Sequence, residues 1–220
     1  MEIDELLQEA ANFIGQIDEC IKKAWHEVKI EPMRVLLWDE RELIMPFYFH
    51  LRPMIEDLNE NLKDIQFYII PEYAPKASSY AKKYDEGKYP PLLEDETERS
   101  RTRKVDLCIA AFDSYDLENK KKDTKRTYWF IKHLPIALLE FKIEGAERLY
   151  EKMKNDLEKC REIKQKYLGV NKIYLCCLTN KGLSKKRCQK IMNEAKVENF
   201  TVCYGTWDGN NWDIVEIKDI

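Results

Sequence analysis

The chain is poor in the residues from which most catalytic signatures are built. Seven glycines in 220 residues form no glycine-rich phosphate loop, and no G-x-S-x-G occurs. This argues against a P-loop NTPase and a nucleophile-elbow serine hydrolase. The three histidines, His26, His50 and His133, are far apart, and none of the seven cysteines forms a C-x-x-C, which argues against zinc. Cysteines 20, 108, 160, 176, 177, 188 and 203 are odd in number and fall mostly on apolar faces of expected elements, so they read as reduced core thiols. No run of 18 apolar residues exists, and the opening MEIDELLQEA is acidic where a secretory leader would be basic and then apolar. The expectation is a cytoplasmic protein with no membrane partner. Eight prolines, with 44% apolar against 35% charged residues, leave no basis for long disorder, and 220 residues suffice for one domain with a sizeable core.

The net charge of −3 does not by itself suggest a polyanionic partner, but its distribution is uneven. Residues 1–60 carry 14 acidic and 6 basic side chains, a balance of −8, leaving 26 acidic and 31 basic in 61–220, a balance of +5. A basic surface on the larger part is compatible with this asymmetry.

Apolar residues at Ile3, Leu6, Leu7, Ala10, Ile14, Ile17, Ile21, Ala24, Trp25 and Val28 recur every three or four positions, which predicts one long N-terminal helix within 1–30. It is expected to pack on the rest of the chain or to pair with a second copy, giving a homodimer. A second helix is expected between Asp39 and about Leu62, regular from near Pro46. QFYIIP, 66–71, reads as a strand. The tract 71–104, with tyrosines and prolines among charges, is a long connection that could stack and neutralise a nucleic acid strand, or be only a solvated excursion. Residues 113–126, rich in lysine, read as a polar hairpin loop, and a return strand is expected from near Thr127, through Tyr128 and Trp129, with a break at Lys132-His133 before the strand at 136–143. A helix is expected from Gly145 to about Leu168 with Gly169 as its stop, then a strand at 172–178, a helix from Ser184 to Val197, and a hairpin of 200–206 with 212–217.

The strand that organises the chain is IALLEFKI, 136–143, a continuous apolar run behind Pro135 that reads as buried on both faces. In a strand Glu140 and Lys142 project to one face and Phe141 to the other. A buried carboxylate and ammonium need partners, a metal or a substrate. Upstream, VDLCIAAF, 105–112, is a second buried strand with one charge, Asp106, behind the basic tract Arg99, Arg101, Arg103 and Lys104.

An Asp on one strand, Glu-x-Lys on the next and a long amphipathic helix after them resemble the PD-(D/E)XK nuclease superfamily, with Val-Asp in place of its Pro-Asp. The resemblance covers about 39–180. It implies an α/β restriction-endonuclease-like core, in which a helix, three strands, a helix and a strand build a mixed sheet flanked by helices. Here an N-terminal helix precedes that core, and 181–220 would extend the sheet with a helix and a hairpin. It further implies a Mg²⁺ or Mn²⁺ ion held by Asp106, Glu140 and the Phe141 carbonyl, with Lys142 as catalytic ammonium and Glu42, from the preceding helix, as an added carboxylate. Asp39-x-x-Glu42 also fits a capping box, which would make Glu42 a helix-start device. The implied function is metal-dependent hydrolysis of phosphodiesters, with DNA the first expectation. Arg101, Arg103 and Lys104 are the expected phosphate contacts. The alternatives are an inactive module of the same fold binding nucleic acid or a protein, and an unrelated α/β protein whose Glu140 and Lys142 are a structural ion pair.

Overall fold

Apolar side chains on both faces of the two central strands demand cover on both sides, and the chain supplies it as three layers. The computed structural model describes residues 1–28, 40–73, 104–123, 133–143, 146–167, 169–179, 190, 200–207 and 212–217. The elements are α1 (Ile3–Asn12), α2 (Ile14–Glu27), α3 (Arg41–Glu60), β1 (Ile65–Tyr73), β2 (Val105–Asp113), α4 (Ser114–Asp123), β3 (His133–Ile143), α5 (Ala146–Lys166), β4 (Lys172–Thr179), β5 (Phe200–Trp207) and β6 (Trp212–Ile217). Among the described residues no helix is long and apolar enough to cross a membrane.

The six strands lie in sequence order, β1 to β6. The first three form an antiparallel meander; β4 runs parallel to β3, β5 parallel to β4, and β6 turns back along β5. Helix α5 is the crossover that the parallel β3–β4 pair requires, and the C-terminal hairpin extends the sheet as the turn residues predict. Alternation divides the core. Leu107, Ile109, Leu139, Phe141 and Cys176 pack under α1, α2 and α3. Cys108, Ala110, Leu138 and Leu175 face Leu157 and Cys160 of α5 on the other side. Cys108, Cys160, Cys176, Cys177 and Cys203 are buried reduced cysteines, and Cys20 is a half-buried one.

Four expectations are corrected. The N-terminal stripe is two helices, not one. The Phe13 amide bonds back to Ala10 at 3.1 Å, closing α1 with a tight turn, while the Phe13 ring meets Phe67 edge-on with centroids 6.0 Å apart. Leu6, Ala10, Ile17, Ile21 and Trp25 are buried within the chain, so this stripe packs on the core. Helix α3 is continuous from Arg41, with Pro46 and Pro53 inside it, instead of becoming regular near Pro46; burial of Leu43, Phe47, Leu51 and Ile55 outweighs two missing helix bonds. Residues 114–123, expected as loop, form α4: the Asp113 carboxylate accepts the Asp116 amide at 3.1 Å, a side-chain cap, and Leu117 is buried. Finally, β3 begins at His133 and contains Pro135. The pairing shifts between Ile109↔Ala137 and Ala110↔Pro135, and such a bulge tolerates a residue without an N–H.

Gly169 has φ +89°, and a Cβ there would lie 3.0 Å from the Pro135 carbonyl oxygen. That explains its use as the stop after α5. The segments 74–103 and 124–132 and the helix expected from Ser184, apart from Lys190, lie outside the described residues.

Candidate functional site

Two neighbouring strands bring their charges to one sheet end. Leu107 pairs with Leu139 in the β2–β3 ladder, which sets Asp106 opposite Glu140 on the next rung, on the face that α5 covers. Lys142 follows Glu140 on that face. The Phe141 amide donates to Asp106 Oδ2 at 2.7 Å, so Asp106 takes the place of a ladder acceptor and its carboxylate is fixed beside the Glu140–Lys142 segment. The Phe141 ring points the other way and meets Phe47 of α3 edge-on at 5.0 Å, tying the strand end to the helix layer.

Both flanking layers add charges that sequence reasoning missed. Helix α5 contributes Asp156 and Lys159, and the residue just before α3 contributes Glu40. Lys142 Nζ lies 3.2 Å from Glu40 Oε2 and 3.3 Å from Asp156 Oδ2, and it donates to the Phe141 carbonyl at 2.8 Å. Lys159 Nζ lies 2.5 Å from Glu140 Oε1 and 3.1 Å from Asp156 Oδ1, and it donates to the Lys104 carbonyl at 2.8 Å. The Lys159–Glu140 contact is close but poorly directed: among the described residues, buried Glu140 Oε1 accepts no well-angled hydrogen bond, nor does Asp156 Oδ2. One sequence signal was available for α5. Asp156 and Lys159 stand one turn apart, bordering the buried stripe Met153, Leu157 and Cys160.

The electrostatics follow from burial. Glu140 is 1% exposed; desolvation and then the Asp106 charge raise its pKa well above the ordinary carboxylate value, against the pull of Lys159. Desolvation also raises Glu40 above its ordinary value, against Lys142. For Lys142 burial acts downward, but Asp156, Glu40, Asp106 and Glu140 together outweigh it and the pKa rises. Lys159 behaves likewise: desolvation is overcome by Glu140 and Asp156.

No protein family, curated protein or solved structure matches this chain. The site therefore stands on its own chemistry. Among the described residues, no three His, Cys, Asp or Glu side chains are grouped closely enough to hold a metal ion. The donor set on β2 and β3 is nonetheless of the hard-oxygen kind that Mg²⁺ and Mn²⁺ take: two carboxylates and, between Glu140 and Lys142, a backbone carbonyl. Lys142, Glu140 and Asp106 are thus brought together. The side chain of Glu42 lies outside what is described, as does Asp39, and the helix-start carboxylate seen at Lys142 is Glu40. Arg101 and Arg103 lie outside the described residues. Lys104 is exposed at the entry to β2, with its ammonium 3.1 Å from Glu72.

Proposed function

We propose that this chain is a metal-dependent nuclease of the PD-(D/E)XK kind, hydrolysing phosphodiester bonds, with DNA as the expected substrate. The observation that carries the reading is the convergence of Asp106, Glu140 and Lys142 from two adjacent strands onto one face at one sheet end, with the Phe141 amide bonded to Asp106. The surrounding order supports it: a helix, an antiparallel meander, a crossover helix and a parallel fourth strand follow the restriction-endonuclease-like plan, with α4 inserted after the second strand. Asp106, Glu140 and the Phe141 carbonyl would hold Mg²⁺ or Mn²⁺. When bound, such an ion supplies charge neutralisation at the phosphoryl oxygens and lowers the pKa of water. Lys142, charged and only 12% exposed, would orient the attacking water and stabilise charge building on the phosphoryl group. Asp156 and Glu40 hold its ammonium in place.

A second reading, an inactive module of the same fold, draws on the contacts of Lys159 with Glu140 and of Lys142 with the Phe141 carbonyl, since ammonium groups cover the expected ligands. One experiment separates the two. Linear, circular and single-stranded DNA and RNA are incubated with the protein in Mg²⁺, Mn²⁺ or chelator. Chelator-sensitive cleavage abolished by Glu140→Gln supports the nuclease; nucleic acid bound but uncut under every condition supports the module.

A further inference from the structure

The carboxylates at this sheet end outnumber its ammonium groups. Asp106, Glu140, Glu40 and Asp156 surround Lys142 and Lys159, so with all six ionised the cluster is two charges short of neutrality. The lysines are not distributed evenly over it. Lys142 spans Glu40, Asp156 and the Phe141 carbonyl. Among the described residues, Lys159 is the cation at Glu140 Oε1, at 2.5 Å, and that oxygen is buried without a directed hydrogen bond. Lys159 also has two further partners that do not involve Glu140: Asp156, one turn back on its own helix at 3.1 Å, and the Lys104 carbonyl at 2.8 Å.

Resting on the metal-dependent reading above, we propose that Lys159 is a stand-in cation, a positioning residue that neutralises Glu140 in the metal-free protein and releases it to a divalent ion while Asp156 and the Lys104 carbonyl retain its ammonium. The physical reason is competition for one oxygen. A divalent ion coordinates a carboxylate at about 2.0 to 2.5 Å, and in a site this dry an ammonium at the same oxygen repels it strongly. Without Lys159, however, Glu140 would be a buried carboxylate beside Asp106 with only the Lys142 ammonium, held by Glu40 and Asp156, to offset it. Lys159 therefore keeps the empty site folded and at the same time sets a threshold for metal entry. Its release needs only side-chain rotation, because both alternative partners are already in contact.

The test is calorimetric titration of Mn²⁺ into the wild type, Lys159→Met, Lys159→Arg and Glu140→Gln, without nucleic acid. Lys159→Met is expected to bind Mn²⁺ about tenfold tighter or better, a gain of roughly 1.4 kcal/mol, Lys159→Arg no tighter than wild type, and Glu140→Gln not at all. A lysine that merely built the site would give the opposite result, so unchanged or weaker binding by Lys159→Met overturns the proposal while leaving the metal-dependent reading intact. Binding by neither wild type nor Lys159→Met overturns both. Should Lys159→Met fail to fold, the wild type suffices: with ¹³C-labelled lysine, saturating Mg²⁺ is expected to shift the Lys159 side-chain signal and leave that of Lys172, held by Asp18, in place. An unmoved Lys159 signal would overturn the proposal.

Discussion

A carboxylate buried like Glu140 is costly to keep ionised, and several kcal/mol of that cost is recovered only if its neighbours compensate. In a site built for catalysis, removing such a charge relieves desolvation and repulsion from Asp106, so function and stability part company. Glu140→Gln and Lys142→Met are expected to abolish cleavage while changing unfolding free energy in urea by less than about 1 kcal/mol; a loss of about 3 to 5 kcal/mol in either would mark a structural ion pair. Asp18 illustrates a charge with the reverse balance. Burial acts to raise its pKa, but hydrogen bonds from Lys172, Lys22 and Tyr174 outweigh this, and the folded value falls below the ordinary 3.8. Lys172 and Lys22 each approach it at 2.7 Å and the Tyr174 hydroxyl at 2.5 Å. A depressed folded pKa means stability that is fully present above the unfolded value and is lost as pH falls through the folded one. Asp18→Asn should therefore cost about 2 kcal/mol at pH 7, from weakened charge-assisted bonds, and the difference from wild type should shrink as pH drops below about 4. Thermal melts between pH 2.5 and 7 would show it; a constant difference would assign the loss to packing.

At the level of elements, β1 is an edge strand among the described residues, and edges left open invite association. Asn59 of α3 closes this one at its centre: its side chain accepts the Phe67 amide at 2.8 Å and donates to the Phe67 carbonyl at 2.7 Å, as a neighbouring strand would. Asn59→Ala is expected to cost about 1 to 3 kcal/mol, the penalty of unsatisfied polar groups, and to make the protein associate at high concentration. Denaturant unfolding and light scattering are the checks, and a monomeric variant of wild-type stability would contradict it. How much of each element was legible depended on how far its signal was local. The strands around Cys108, Leu138 and Leu175 were readable because strands covered on both faces are continuous apolar runs. Helix α4 was not, since its run of lysines hides a single buried leucine and its cap, Asp113, is also the last residue of β2.

For the whole molecule, the proposed nuclease reading requires that a chain of net charge −3 approach a polyanion. The N-terminal layer carries the acidic excess, whereas Arg99, Arg101, Arg103 and Lys104 lead directly into the strand bearing Asp106. Lys104 is exposed there, paired with Glu72 in a contact open to solvent, and pairs of that kind yield readily to a phosphate. Arg101→Ala and Arg103→Ala, in a Glu140→Gln background, are each expected to weaken DNA binding at every sequence alike and to reduce the salt slope by about 0.7 to 0.9. Lys185→Ala and Arg187→Ala, on the solvated outer face expected of the helix from Ser184, should change the slope less. Binding measured against salt decides this, and an unchanged slope for the arginine variants would put the nucleic acid elsewhere.

What the sequence determined by itself was the central pair of strands, the long helix after them, and the shared face of Glu140 and Lys142, because alternation along a strand is a local rule; that Asp106 joins them is decided by the β2–β3 register. The tertiary structure alone decided which groups answer those charges. Glu40, Asp156 and Lys159 belong to segments whose sequence marks them only as polar positions beside buried stripes. Their approach to Glu140 and Lys142 depends on how α3 and α5 are rotated and seated by Phe47, Met153, Leu157 and Cys160. That seating is a packing equilibrium over residues more than a hundred positions apart, and no local pattern encodes it.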